Sequence, residues 1–206
     1  MATSFIDISR SARGSRQHPL LIWLCLLVLP LLAGCASTTK FRPVSDTPVR
    51  IGPPYQIKGV TYVPRDDPAY DMLGYASWYG EESGRMTANG EKFRHGSFAA
   101  AHTTLPLPSY VEVTALDTGR TILVRINDRG PFIPGRIIDL SPAAASELGI
   151  RQKGVAAVRV RRVEPPERDR KRLRDGGGAE LRAPVPETTL RLWRTRLDRA
   201  MMPAAK

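Results

Sequence analysis

Tyr110-Val111-Glu112-Val113-Thr114-Ala115-Leu116, then Asp117-Thr118-Gly119-Arg120, then Thr121-Ile122-Leu123-Val124-Arg125-Ile126 is the stretch that decides the fold. Val111 and Val113 fall on one face of the first run, and Glu112 and Thr114 on the other. That two-residue period marks a half-buried strand. Asp-Thr-Gly-Arg is a turn, and the β-branched run after it returns as the second arm of a hairpin. Outward from the hairpin, 75–79 and 98–101 are shorter β-type runs. Residues 155–163 alternate again, with Val158 and Val160 against Arg159 and Arg161. Gly, Pro, Asn and Asp punctuate the intervals. One helix is predicted over 143–148, with Ser141 as N-cap, Pro142 at the first helical position and Gly149 as a left-handed terminator. Several short strands and one small helix within residues 74–163 predict an all-β domain. A closed barrel is favoured over a sandwich because closure removes exposed edges.

The flanks read differently. Residues 36–73 carry Pro43, Pro48, Pro53, Pro54, Pro64 and Pro68 and show no hydrophobic period. They predict a disordered or extended Pro-rich tether, with a β-type stretch around 55–62. Residues 164–185 are charged and contain Gly176-Gly177-Gly178, which predicts a flexible linker. Residues 187–201 return to helical spacing. Leu190, Trp193, Leu197 and Met201 share a face, with Arg191, Arg194, Arg196 and Arg199 mostly off it. This basic amphipathic helix has two destinations: an anionic membrane or partner, or the flank of its own barrel.

The N-terminal segment sets the compartment. Arg10, Arg13 and Arg16 precede an apolar run, 20–32, which is followed by small residues and Cys35. The run is too short for a bilayer core of about 30 Å, so residues 1–34 read as an export signal. Leu32-Ala33-Gly34-Cys35 resembles the bacterial lipobox, which implies lipidation of Cys35 and cleavage before it. Ala36 rather than Asp follows the cysteine, and this favours the outer membrane over the inner. Exposure outside the cytoplasm argues against ATP-dependent chemistry and nucleic-acid binding. The expected surroundings are membrane, envelope protein and peptidoglycan.

Cys25 and Cys35 are the only cysteines of the 206 residues. Cleavage and lipidation would leave 172 residues without a disulfide, so burial alone must hold the core. His18, His95 and His102 have no metal-ligand spacing, and no metal or cofactor is expected. The net charge is +11. Three arginines and one aspartate precede Cys35, so the remainder carries about +9. Such a chain is suited to anionic head groups and wall-peptide carboxylates.

Polar residues gather in Thr87-Ala88-Asn89-Gly90-Glu91, Ala100-Ala101-His102, Asn127-Asp128-Arg129-Gly130-Pro131-Phe132 and Arg136-Ile137-Ile138-Asp139-Leu140-Ser141. Glu91 follows a turn-forming Asn-Gly, and Asp128 sits where a β-run ends. Two carboxylates on loops at a barrel rim can face one groove, and a carboxyl pair is what glycosidic cleavage requires. Trp78 and Tyr79 can stack on a sugar or fill the core.

Together with Gly74-Tyr75-Ala76-Ser77-Trp78-Tyr79-Gly80 and 100–111, these motifs resemble the rare lipoprotein A (RlpA) family of septal-ring peptidoglycan lytic transglycosylases. The resemblance covers about residues 74–163. It implies a six-stranded double-psi β-barrel, an acidic catalytic pair at Glu91 and Asp128, and a functional histidine at His102. Asp139 matches the site of the catalytic aspartate in expansin-related barrels and is a secondary candidate, and Asn127 and Arg129, on either side of Asp128, are candidate sugar contacts.

The implied reaction cleaves the bond between N-acetylmuramic acid and N-acetylglucosamine endolytically. It leaves a 1,6-anhydromuramyl end, with denuded strands at cell separation as the expected substrate. The alternative is a non-catalytic, expansin-like protein that binds glycan and loosens the wall. Divisome or amidase partners are further expectations. Two features depart from the family: the aromatic-His-Gly before the Thr-Ala-Asn-Gly stretch is missing, and no sporulation-related repeat domain is expected in 164–206.

Overall fold

The structure is a computed structural model that describes residues 44–80, 84 and 86–202. The export signal and Cys35 lie outside the described residues. Six strands close into a barrel in the order β3-β7-β4-β6-β5-β8. These are β3 (Asp71–Trp78), β4 (Ala99–Ala101), β5 (Ser109–Ala115), β6 (Thr121–Asp128), β7 (Arg136–Leu140) and β8 (Ala156–Arg162). Pairs β3/β7 and β4/β6 are parallel and the other four pairs are antiparallel, the mixed pattern of a double-psi barrel.

The hairpin read from the sequence is β5–β6, with Thr114 opposite Thr121 across the turn. Val111, Val113, Val124, Ile126, Ile138, Leu140, Val158 and Val160 fill the interior. Helix α1 (Pro142–Leu148) closes one end. Ser141 accepts the Ala144 amide, and Gly149 takes the left-handed conformation after the last turn, as expected from the sequence. Strand β7 was not among the runs predicted from periodicity. Its alternation is hidden because Ile138, Asp139 and Leu140 are all buried.

The β-type stretch expected around 55–62 is present, but the rest of the flanking segments 44–73 and 164–185 departs from the sequence expectation. The tether expected over 36–73 is ordered where it is described. Strands β1 (Tyr55–Ile57) and β2 (Val60–Tyr62) form a hairpin, Arg50 bridges to Leu107, and β3 begins at Asp71 within the expected tether. Backbone and guanidinium bonds fix this segment, and those leave no hydrophobic period to read. The linker expected over 164–185 contains helix α2 (Glu167–Arg174). Glu167 and Asp169 lie in its first turn and Lys171, Arg172 and Arg174 in its last, complementing the helix dipole. Its apolar anchor is Leu173, packed with Tyr110 and Leu123.

The helix expected over 187–201 is α3 (Glu187–Met201). Leu190 and Leu197 are buried against Leu116, Leu73, Tyr75 and Trp193. The barrel therefore occupies the face that an anionic membrane would need, and the membrane destination for this helix is corrected to the barrel flank. Arg159 lies 4.5 Å from the Trp193 ring centroid and secures the contact. No helix among the described residues is long and apolar enough to cross a membrane.

Candidate active site

Two bulges set the site. Along β4/β6, Ala100 pairs with Ile126 and Ala101 pairs with Asp128, so Asn127 is skipped. Along β3/β7, Tyr75 pairs with Arg136 and Ala76 with Ile138, so Ile137 is skipped. Bulges re-aim the side chains that follow them. On its other edge Ala101 pairs with Asp139, and Asp139 in turn pairs with Ser77. Ser77, Asp139, Ala101 and Asp128 thus form one row across four neighbouring strands. Residues paired directly across strands share a face, and strands lie about 4.8 Å apart. Asp128 and Asp139 therefore stand about 10 Å apart at the backbone, on either side of the small Ala101.

The row opens into a groove of about 410 Å³ lined by Asp128, Asp139, Tyr79, Arg129, Arg136 and Phe132, among others. Both aspartates are shifted toward the protonated form. Burial raises the Asp128 carboxyl, opposed by the amides of Ala88 and Arg129 and by the Arg129 charge. Those amides each donate to Oδ1 at 2.8 Å. Burial also raises Asp139, opposed by Arg136, whose Nη2 donates to Oδ2 at 2.9 Å. Asp139 Oδ1 and the Tyr79 hydroxyl are both buried and have no hydrogen-bond partner among the described residues. Burial, then the charges of Asp128, Asp139 and Glu91, push the Tyr79 hydroxyl up, so it stays protonated. Its ring lies against Phe93, centroids 5.1 Å apart, so the sugar-stacking expectation gives way to a buried hydroxyl in the groove wall.

Glu91 stands apart from this row. Arg125 Nη1 donates to both of its oxygens at 2.8 Å, Asn127 Nδ2 donates to Oε2 at 2.8 Å, and Asn89 Nδ2 donates to Oε1 at 2.9 Å. It lines a smaller recess with Arg125 and Asn127. Asn127, the bulged residue, turns its amide to Glu91 rather than into the larger groove.

His102 is buried, and burial followed by the Arg129 charge lowers its pKa to about 3, so the ring is neutral. Nδ1 accepts the amides of Thr104 and Leu105 at 3.1 and 3.0 Å, and the ring meets Tyr70 edge-on. Its side chain thus engages that loop and Tyr70, while its backbone amide donates to the Asp128 carbonyl at 3.0 Å. Arg129 reaches the carbonyls of Leu105 and Ile51, pinning the loops beside Asp128. Trp78 packs on the core and donates to the Arg151 carbonyl, with Arg151 over its ring.

Sequence reading missed the β1–β2 hairpin as part of the site. Ile57 and Lys58 line the groove together with Phe132, and Tyr55 stacks on Tyr62 while both rings meet Phe132 edge-on or tilted, with centroids 5.3 to 6.1 Å apart. The aromatic spacing in 55–62 was the available signal. Arg125 was also missed: a charged residue midway through a buried strand needs a partner.

The fold and site define a double-psi barrel whose rim groove is walled by two aspartates. The family model described as lytic transglycolase matches residues 71–160. The endolytic peptidoglycan transglycosylase RlpA of Pseudomonas aeruginosa strain UCBPP-PA14 is 54% identical over 114 residues, 54% of this chain and 33% of that protein. That of Rickettsia felis is 36% identical over 167 residues, 70% of this chain and 72% of that protein. Among solved structures, the Streptomyces papain inhibitor covers 48% of this chain and all of its own, at 27% identity and a TM-score of 0.40. The chain belongs to the RlpA family. It spans about a third of the Pseudomonas relative's length.

Proposed function

We propose that this chain is a lytic transglycosylase that cleaves peptidoglycan strands between N-acetylmuramic acid and N-acetylglucosamine. The observation that carries the reading is the row in which Asp128 and Asp139 face one groove across Ala101, both carboxyls shifted toward the protonated form. Raised carboxyls suit general acid catalysis near neutral pH. Asp128 has its two amide bonds on Oδ1 and carries the proton delivered to the glycosidic oxygen. The Arg136 guanidinium favours the anion at Asp139, which faces the developing oxocarbenium charge.

Asp128, now the base, accepts the proton of the muramyl C6 hydroxyl as that oxygen attacks C1 of the same sugar. The 1,6-anhydro bond forms, the glycosidic bond breaks, and the proton balance closes without water. The nucleophile is already tethered to the reacting carbon, which lowers the entropic barrier. The names of the RlpA relatives, which specify endolytic peptidoglycan transglycosylases, support the same reaction class.

The signal-like segment ending at Leu32-Ala33-Gly34-Cys35 supports a lipid-anchored protein facing the periplasm, in the outer rather than the inner membrane. Such an anchor would hold the groove at wall strands during cell separation, where divisome or amidase partners work. Residues 36–206, incubated with intact and amidase-denuded peptidoglycan, test the reading by mass spectrometry of the products. Anhydromuramyl ends are the expected outcome. Reducing ends would replace it with hydrolysis, and sedimentation on sacculi without products would favour the glycan-binding alternative.

A further inference from the structure

We propose that Arg125 is a positioning residue for this site, and that Asp46 and Arg174, on the two segments flanking the barrel, complete its support. The proposal rests on the lytic transglycosylase reading for its consequence and on geometry for its existence. Arg125 projects from β6 with its side chain only 3% exposed. Its guanidinium is shared among three partners. Nε donates to Asp46 Oδ1 at 3.0 Å, Nη1 to both Glu91 oxygens at 2.8 Å, and Nη2 to the Ser45 carbonyl at 2.6 Å. Asp46 is held in turn by the Tyr110 hydroxyl at 2.9 and 2.8 Å and by Arg174 Nη1 at 2.6 Å. Although burial opposes it, hydrogen bonds from Arg174, Tyr110 and Arg125 hold the Asp46 carboxyl below the usual range. The Val44 amide also donates to the Arg174 carbonyl at 3.2 Å, tying the two flanks together.

The relay continues past Glu91 toward the groove. Glu91 accepts from Asn89 within the Thr87–Glu91 turn. That turn is closed by Thr87 N–H to the Glu91 carbonyl at 2.8 Å and Gly90 N–H to the Thr87 carbonyl at 2.9 Å. The Asn89 amide donates to the Asn127 carbonyl at 3.1 Å, and the Ala88 amide donates to Asp128 Oδ1 at 2.8 Å. An unbroken path of charged and amide contacts therefore runs from α2 through Asp46, Arg125 and Glu91 to Asp128. Asp46 and Arg174 lie outside the 71–160 span that the family model matches, so the barrel segment alone does not supply the whole site. A buried guanidinium is tolerable only when paired, and removing one carboxylate leaves the other partners to reorganise around it. Glu91 acts here by orienting the turn that presents the Ala88 amide.

The test uses Asp46→Asn, Arg174→Gln and Arg125→Lys in the chain of residues 36–206, each checked by circular dichroism for a folded barrel. The first readout is independent of activity: amide hydrogen exchange of residues 87–91 against that of Val113 in the core. We expect roughly tenfold faster exchange in 87–91 for Asp46→Asn, with Val113 unchanged. The second is the pH dependence of kcat on denuded peptidoglycan. Loss of the Ala88 bond removes a contact that lowers the Asp128 pKa, so the alkaline limb moves to higher pH while KM holds. Arg174→Gln gives the same directions more weakly, and combining it with Asp46→Asn adds little. Unchanged exchange at 87–91 in the folded variants overturns the proposal. If wild type makes no anhydromuramyl product, the functional reading fails while hydrogen exchange still decides the relay.

Discussion

Asp128 and Asp139 lie on strands β6 and β7, on opposite edges of β4, and both pair in register with Ala101. The barrel rather than any single motif makes them neighbours, since 10 residues of sequence and a loop separate them. The two-strand spacing of about 10 Å at the backbone leaves room for a sugar between the carboxyls. The bulge at Asn127 decides which residue faces it. Without the extra residue, the position opposite Ala101 would belong to Asn127.

Arg136→Gln should change the pH profile rather than abolish binding. Arg136 lowers the Asp139 pKa through its charge and its 2.9 Å bond. Without it, burial is less opposed and Asp139 stays protonated to higher pH. The anion that faces the oxocarbenium centre then forms later, so the acidic limb of kcat shifts to higher pH. An activity profile against pH checks the direction.

His102 gives a stability signature. Its folded pKa, about 3, lies below the ordinary value of 6.5. The unfolded chain therefore binds a proton first as the pH falls. Stability from the neutral ring is fully present above 6.5 and is lost progressively down to about 3, with a slope approaching ~1.4 kcal/mol per pH unit. Urea unfolding at several pH values should show this slope, and His102→Gln should remove it.

The C-terminal helix belongs to the folded unit. Leu190 is 2% exposed, and Leu190→Ala should cost about 2–4 kcal/mol of unfolding free energy. Gly119 sits at φ +71, and a Cβ there would lie 2.5 Å from the Val185 carbonyl. Gly119→Ala should destabilise by about 1–3 kcal/mol, and the Trp193 environment should loosen with it. Thermal melts followed by near-ultraviolet circular dichroism check both.

Much of the barrel was legible because strands with one wet face alternate. Val158 and Val160 against Arg159 and Arg161 declare β8 directly, and Ser141, Pro142 and Gly149 bound the helix. Strand β7 was hidden because its last three residues are all buried. In the flanks the stretch at 55–62 and the helix over 187–201 were legible, but the docking of 44–54 and the helix Glu167–Arg174 were hidden, because they are held through guanidinium and backbone bonds, as Arg125 holds Ser45 and Asp46, and such contacts leave no period. Asp128 was legible as an acid where a β-run ends, although it is the last residue of β6 rather than part of a loop. Its place across Ala101 from Asp139 depends on the bulge at Asn127, and the engagement of Glu91 by Arg125 depends on a contact between distant stretches of chain, neither of which local propensity encodes.

The central claim is that Asp128 and Asp139 together run the chemistry. Mass spectrometry of glycan products from wild type, Asp128→Asn and Asp139→Asn on amidase-denuded peptidoglycan tests it most directly, with pelleting on sacculi as the binding control. Anhydromuramyl ends are expected from wild type, with their loss, by about a hundredfold or more, in Asp128→Asn while binding is kept. A comparable loss is expected in Asp139→Asn. Full activity in either folded variant would contradict the claim.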